Sequence, residues 1–66
     1  MNLIVNGELR DFADGATLCA VVAELTPATQ GIAVAVNANV VPRGEWHSTA
    51  LRSDDRIEVL TAVQGG

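Results

Sequence analysis

The sequence predicts a two-layer α+β domain, in which a mixed sheet of four or five strands packs against one main helix. Three observations support this prediction. An Asn-Gly turn at residues 6–7 joins two short strand-like segments, an apolar stripe with helical spacing occupies residues 18–25, and further strand-like segments follow residue 31. Because one helix cannot cover both faces of a sheet, these elements are expected to form two layers rather than three.

The first two strands form a predicted β-hairpin. Asn6-Gly7 is the strongest short hairpin signal, because a type I′ turn requires positive φ at both central residues. Paired residues share one face of a sheet, so Met1, Leu3 and Phe12 are expected in the core. A two-residue turn predicts three pairs across the strands: Val5 with Glu8, Leu3 with Arg10 and Met1 with Phe12.

An amphipathic helix is predicted after the turn signal at Asp14-Gly15. Thr17 is a suitable N-cap, since its hydroxyl can accept a hydrogen bond from a free backbone N–H of the first turn. The helix is expected to end at Thr26, because the residue before Pro27 resists the α conformation. Its apolar residues follow the spacing i, i+3, i+4 and i+7 and form one stripe: Leu18, Val21, Val22 and Leu25.

The second half of the chain predicts three more strands. Residues 32–36 alternate large and small apolar side chains, residues 40–41 form a short strand that ends at Pro42, and residues 57–63 form the last strand. Residues 44–51 are predicted to be irregular, with a helical turn around residues 46–50 and Trp46 as a packing anchor. Asp54-Asp55 is predicted to form a solvated corner. The elements predict one domain over residues 1–63 and a flexible tail over residues 64–66.

Composition argues against several classes of function. The 66 residues carry eight acidic side chains, four arginines and no lysine, which gives a formal net charge of −4. This balance argues against binding to nucleic acid or to an anionic membrane, because both require a positive surface. A chain this short leaves little room for a catalytic pocket, so a carrier or binding module is favoured over an enzyme.

Few side chains could carry chemistry. The chain has one cysteine, Cys19, and one histidine, His47, so neither an internal disulfide nor a multi-cysteine zinc site is expected. No catalytic set and no metal site is predicted, and Cys19 is interpreted as a small, half-buried helix residue. The N-terminus lacks the pattern of a signal peptide, and no apolar run approaches the roughly 20 residues that span a bilayer. We therefore expect a cytoplasmic protein.

The C-terminus is the main candidate for function. Gln64-Gly65-Gly66 directly follows the predicted last strand. Such a segment is commonly no more than a flexible tail. Two glycines without Cβ atoms can, however, enter a channel that is too narrow for other residues, and residues 63–66 reach at most about 13–14 Å when extended. The residues predicted to enter a partner's active site are Val63, Gln64, Gly65 and Gly66, with the terminal carboxylate as the reactive group.

The sheet face that points away from the helix, which we call the outer face, is predicted to be apolar. A protein that needs only to stay in solution carries charges on such a face. The outer face is therefore predicted to dock a partner, with Leu60 as an anchor flanked by Ile4. The apolar residues expected on it are Ile4, Leu9, Ala33, Ala35, Leu60 and Ala62.

This order of elements with a terminal Gly-Gly resembles the ubiquitin-like β-grasp fold and, within it, the ThiS family of sulfur carriers in thiamine biosynthesis. The resemblance covers essentially the whole chain. Its most specific part is Val41-Pro42-Arg43 with Trp46 three residues later, which related carriers generally lack. One departure is Ser53-Asp54-Asp55, where the family more often has a glycine. The other matching segments are Asn6-Gly7, Val34-Ala35-Val36-Asn37, Asp55 before Ile57-Glu58-Val59, and Ala62-Val63-Gln64-Gly65-Gly66.

The resemblance implies a carrier without catalytic side chains or a bound cofactor. A ThiF-like adenylyltransferase is expected to use ATP to adenylate the carboxylate of Gly66. A sulfur relay from a cysteine desulfurase is expected to convert the adenylate into a thiocarboxylate. Thiazole synthase then takes the sulfur for the thiazole ring of thiamine.

Three alternatives stay open on the residues alone. The same tail chemistry serves other pathways, such as molybdopterin synthesis and tRNA thiolation. A ubiquitin-like modifier also uses a Gly-Gly tail and is conjugated to lysines of its targets. The third alternative is a β-grasp binding domain whose tail is inert.

Overall fold

The computed structural model describes residues 1–27 and 30–61 of the chain. The predicted strand residues 62–63 and the predicted tail lie outside the described residues. The described elements follow the predicted order: β1 (Asn2–Val5), β2 (Glu8–Asp11), α1 (Leu18–Leu25), β3 (Ile32–Val36), β4 (Asn39–Val40), a 3₁₀ helix η1 (Arg43–Ser48) and β5 (Arg56–Thr61).

The five strands form one mixed sheet in the order β2-β1-β5-β3-β4. β5 runs parallel to β1 and antiparallel to β3. The two remaining pairs, β1 with β2 and β3 with β4, are antiparallel. The predicted mixed sheet with one main helix is confirmed.

The first hairpin matches its prediction. Asn6 and Gly7 both have positive φ, 48° and 85°, as a type I′ turn requires. The register pairs Leu3 with Arg10, and Leu3 is fully buried. Phe12, which follows β2 directly, is also buried, so the hairpin presents its predicted face to the core.

The helix α1 begins and ends where the sequence predicts. The Thr17 hydroxyl accepts a hydrogen bond from the Ala20 N–H at 3.3 Å. The C-cap is Thr26, directly before Pro27. The spacing of its apolar residues correctly predicts the face that meets the core. Three residues of the stripe are buried and the fourth packs against the core from its edge: Leu18, Val21, Val22 and Leu25.

β3 and β4 form a second hairpin, and β4 begins one residue earlier than the predicted strand. β4 covers Asn39–Val40 rather than residues 40–41, because a two-residue turn pairs Val36 directly with Asn39. The turn residues Asn37 and Ala38 have positive φ, 49° and 72°. Alanine is unfavourable in this conformation, so the turn cannot be recognised from its residues as readily as an Asn-Gly turn.

The segment before β5 is more regular than predicted. The helix η1 begins at Arg43, directly after Pro42, and ends at Ser48, whereas the sequence predicts a helical turn around residues 46–50. Trp46 is only 6% exposed, and its indole N–H donates to the Val41 carbonyl at 2.8 Å. The prediction that Trp46 anchors this segment is confirmed.

The core lies between the sheet and the two helices. Its fully buried side chains come from β1, α1, β3 and β5: Leu3, Leu18, Val21, Val34 and Ile57. Among the described residues, no polar or charged side chain is buried. Burial of apolar surface is therefore the main favourable contribution to folding.

Ala38→Gly is expected to raise the free energy of unfolding by up to about 1 kcal/mol, because glycine adopts positive φ without the steric cost of a Cβ. Chemical denaturation measures the difference. Ala20→Gly, at an exposed position of α1, is the matched control and is expected to lower the free energy of unfolding by about 1 kcal/mol. Equal destabilisation by both changes would contradict the turn conformation described here.

Candidate functional site

β5 leads into the predicted tail, and it lies in the middle of the sheet. β1 pairs with it on one side and β3 on the other. The pairing with β3 runs from Val36 opposite Ile57 to Ile32 opposite Thr61. β1 pairs with β5 at Arg56 and Ile57, and β3 pairs with it as far as Thr61, the last described residue. The predicted tail residues Val63, Gln64, Gly65 and Gly66, together with Ala62, lie outside the described residues.

The Asn6 side chain extends the pairing of β5 beyond the end of β1. Its Oδ1 accepts a hydrogen bond from the Val59 N–H at 2.9 Å, and its Nδ2 donates to the Val59 carbonyl at 3.3 Å. The side-chain amide thus takes the place of a backbone peptide group opposite Val59. The turn signal in the sequence predicts the backbone conformation of Asn6 but gives no indication of this second role.

A second asparagine, Asn37, holds the start of β5 from the side of β3. Its backbone N–H donates to the Arg56 carbonyl at 2.8 Å, and its Oδ1 accepts from the Arg56 N–H at 3.0 Å. Its Nδ2 donates to Asp55 Oδ1 at 3.0 Å. One asparagine from each hairpin turn therefore fixes β5 against its two neighbouring strands.

The Asp54-Asp55 corner differs in part from the predicted solvated turn. Asp55 is half-buried, and its second carboxylate oxygen accepts from the Arg52 N–H at 2.8 Å. Asp54 has a φ of 73°, a conformation that glycine adopts readily and that aspartate tolerates better than most residues. The positive φ at Asp54 explains why a glycine is more often found in this turn and why an aspartate can replace it.

The outer face carries the apolar side chains that the sequence places there. Leu9 and Leu60 are the most exposed of them, at 66% each. Val40 is 74% exposed and lies opposite Ala35, so it belongs to the outer face as well. The sequence does not predict this position, because a strand of two residues shows no alternation from which to assign a face. The predicted residues that the structure describes all retain some exposure: Ile4, Leu9, Ala33, Ala35 and Leu60.

These apolar residues do not form the continuous surface that the sequence predicts, and Ile4 does not flank Leu60. Ile4 lies opposite Arg56 in the parallel pair of β1 and β5, whereas Leu60 lies opposite Ala33. Arg56 and Leu60 are separated by about 13 Å along the strand. The outer face therefore has a hairpin group, Ile4 with Leu9, and a tail-side group, Ala33 with Leu60. Ala35 and Val40, which pair across β3 and β4, lie beside the tail-side group.

Arg56 and Glu58 carry charge on β5 between these two groups. Neither forms an ion pair with a described residue. The ion pairs of the described residues join the Met1 ammonium to Asp14 at 2.8 Å and to Asp11 at 3.4 Å. The hydrogen bond from the Met1 ammonium to Asp14 raises the pKa of the ammonium and lowers the pKa of Asp14. The charges of Arg56 and Glu58 are thus available to a partner.

Cys19 is exposed, whereas the sequence predicts a half-buried residue, because its position on α1 lies outside the stripe that meets the core. With Arg43 and His47 of η1, it lines a cleft between the two helices. These basic residues are distant in sequence and were not identified as its neighbours.

In the described part of the chain, no group of His, Cys, Asp or Glu could hold a metal ion. No helix within residues 1–27 and 30–61 is long and apolar enough to cross a membrane.

The model of the ThiS family matches residues 3–66. The chain belongs to the ThiS family. The sulfur carrier protein ThiS of Escherichia coli is 27% identical to it over 66 residues, which cover both chains completely. These findings confirm the family resemblance expected from the Val41-Pro42-Arg43 segment and Trp46.

Two thiazole synthases also match the whole of this ThiS family chain. The enzyme of Paramagnetospirillum magneticum is 32% identical over 66 residues, and that of Magnetococcus marinus is 36% identical over 66 residues. The chain spans 20% of the length of each of these relatives. A stretch similar to ThiS therefore forms part of each of these larger proteins.

Two solved structures share the fold. The crystal structure of the thiamine biosynthesis protein ThiS from Geobacter metallireducens has a TM-score of 0.82 and 28% identity, and both chains are fully covered. A solution structure of a thiamine biosynthesis protein from the same organism has a TM-score of 0.83 and 29% identity, covering 100% of this chain and 88% of the other. The predicted β-grasp fold is confirmed.

Asn6→Gly is expected to lower the free energy of unfolding by about 1–2 kcal/mol, because glycine keeps the positive φ but removes both side-chain hydrogen bonds to Val59. Chemical denaturation measures the loss. Asn2→Ala, at an exposed position of β1, is the control and is expected to change the free energy of unfolding by no more than about 0.5 kcal/mol. If both variants lost the same amount, Asn6 would have no special role in holding β5.

Proposed function

We propose that this chain is a sulfur carrier of thiamine biosynthesis and that the carboxylate of Gly66 carries the sulfur. The observation that carries this proposal is membership of the ThiS family, together with a match to the sulfur carrier protein ThiS of E. coli that covers both chains completely. The chain then acts as a co-substrate of other enzymes and supplies no catalytic side chain.

The chemistry begins with activation of a carboxylate, which is a poor electrophile because its charge is delocalised and its leaving group is oxide. A ThiF-like adenylyltransferase joins the Gly66 carboxylate to the α-phosphate of ATP and releases pyrophosphate. A sulfur nucleophile from a cysteine desulfurase relay attacks the carbonyl carbon, and AMP leaves. When this nucleophile is a persulfide, a further thiol must cleave the S–S bond to leave the thiocarboxylate.

The acceptor in this scheme is thiazole synthase. Two proteins of that name contain a stretch similar to the whole of this chain. Joining a carrier to its acceptor in one polypeptide raises their effective concentration, which favours delivery of sulfur from one to the other. We infer that this chain makes the same transfer to a thiazole synthase.

β5 supports the transfer because it fixes the point from which the tail starts. The strand is held by β1, by β3 and by the side chain of Asn6, so it stays at the entrance of the partner's active site. Residues 63–66 then reach up to about 13–14 Å into that site. Glycines at positions 65 and 66 place no Cβ in the narrowest part of the channel.

The tail-side group of the outer face is the proposed docking surface for both partners. Leu60 is 66% exposed and immediately precedes Thr61, so a partner that takes up the tail must cover it. The small side chain of Ala33 beside it allows the partner's backbone to approach closely. We include Ala62 in this surface, and we assign Ile4 and Ala35 to its periphery.

ATP binds to the adenylyltransferase in this scheme, and the carrier needs neither a metal ion nor a cofactor of its own. A thiocarboxylate is kept from oxidation in a reducing compartment, so we assign the carrier to the cytoplasm.

Deletion of Gly66 is expected to abolish ATP–pyrophosphate exchange by the adenylyltransferase. The shortened chain still ends in a carboxylate, so the loss reports the position of that group rather than its presence. The Tm is expected to stay close to that of the unchanged protein, because terminal residues contribute little to stability. Glu24→Gln, at an exposed position of α1, is the control and is expected to keep full exchange. Exchange at the normal rate by the shortened chain refutes the role of Gly66.

Leu60→Arg is expected to weaken binding to the adenylyltransferase by about 2 kcal/mol or more, the range of a buried anchor residue. Leu9→Arg is the matched control, because Leu9 is equally exposed at 66% but belongs to the hairpin group. Both variants are expected to keep the circular dichroism spectrum and Tm of the unchanged protein. Surface plasmon resonance measures the two affinities, and an equal loss in both variants shows that the tail-side group is not the centre of the interface.

A further inference from the structure

A cleft of about 210 Å³ lies between α1 and η1. Val22 and Trp46 form its floor, and both are nearly fully buried. Cys19 and Ala23 border it along α1, where a separation of four residues places them on one face of the helix. Because their side chains are small, the cleft stays open beside the core. The proposed sulfur transfer by the tail does not involve this cleft.

The rim of this cleft is basic, although the protein has a formal net charge of −4. Arg43 and His47 lie along η1, and none of the described residues that line the cleft is acidic. The guanidinium carbon of Arg43 is 5.9 Å from the centre of the Trp46 ring, within the range of a cation–π contact. Arg43 forms no ion pair with a described residue, so its charge is not neutralised there.

We propose that this cleft binds an acidic segment of a protein partner, with one aliphatic side chain on its floor and an adjacent carboxylate at its rim. A volume of this size holds about seven water molecules, which is the space of one large side chain. The carboxylate accepts hydrogen bonds from the guanidinium of Arg43, whose planar N–H groups match it in geometry. His47 contributes a further N–H donor.

The floor of the cleft is preformed, which favours this mode of binding. The hydrogen bond from Trp46 to the Val41 carbonyl, at 2.8 Å, fixes the plane of the indole before any partner arrives. Less conformational freedom is then lost on binding. Because the cleft belongs to the helix layer and the tail-side group to the outer face, both can be occupied at the same time. Binding at the cleft does not depend on the sulfur chemistry of the tail.

Trp46 reports on the cleft directly, since it is the one tryptophan of a chain without tyrosine. We expect the blocked dipeptide acetyl-Glu-Leu-amide to change its fluorescence in a saturable way at millimolar concentrations. The uncharged analogue acetyl-Gln-Leu-amide is expected to bind about five- to tenfold more weakly. Arg43→Gln is expected to bind the two dipeptides equally. Arg52→Gln, which removes the same charge outside the cleft, is expected to behave like the unchanged protein.

Ala23→Leu provides an independent test, because a leucine at this exposed helix position fills the cleft without changing its charge. Cooperative unfolding shows that the variant folds, and the fluorescence response to acetyl-Glu-Leu-amide is expected to disappear. Backbone amide resonances of Ala23, Arg43 and Trp46 are expected to shift on binding to the unchanged protein. Equal affinity for the two dipeptides, a response that survives Ala23→Leu, resonance shifts confined to the outer face, or no saturable response each overturns the proposal.

Discussion

The pairing of β5 with a strand on each side is the constraint on which the rest of the structure depends. β5 is the last strand in sequence but lies at the centre of the sheet, and its partners β1 and β3 come from the two hairpins. Since successive side chains point to opposite faces, Ile57 and Val59 enter the core while Glu58 and Leu60 remain outside. One strand thus contributes to the core, to the outer face and to the position from which the tail starts.

The elements that could be predicted from the sequence are those whose signals are local. Asn6-Gly7 indicates its turn through two adjacent residues, and Thr17, the apolar stripe and Pro27 delimit the helix. The extent of the second turn is harder to predict, because Ala38 adopts a positive φ that alanine rarely takes. The boundaries of β4 therefore depended on pairing with β3, which the residues of the turn do not reveal.

Features that depend on register could not be predicted in the same way. A shift of one residue between β1 and β5 exchanges the two faces of a strand and is excluded by the hydrophobic pattern. A shift of two residues preserves the pattern, so the pattern alone does not decide whether Ile4 lies beside Arg56 or nearer Leu60. The bond from Val59 to Asn6 selects the register of β1 with β5, and the bond from Arg56 to Asn37 selects that of β3 with β5. Both involve side chains whose partners are distant in sequence. The cleft at Trp46 has the same origin, because only the fold brings Arg43 near Cys19.

Under the proposed function, the carrier must leave one enzyme before it meets the next, and the arrangement of the outer face is compatible with this. A single continuous apolar surface favours lasting association and also self-association. Here Arg56 and Glu58 separate two small apolar groups, and one of these groups, Ala33 with Leu60, lies next to the end of the described strand. Charges at such a surface mainly increase the rate of encounter, whereas the buried apolar contact sets the rate of dissociation. In the proposed function, a small anchor at the end of β5 therefore permits specific binding that still ends quickly, and specificity for the chemical step is left to the tail inside the partner's active site.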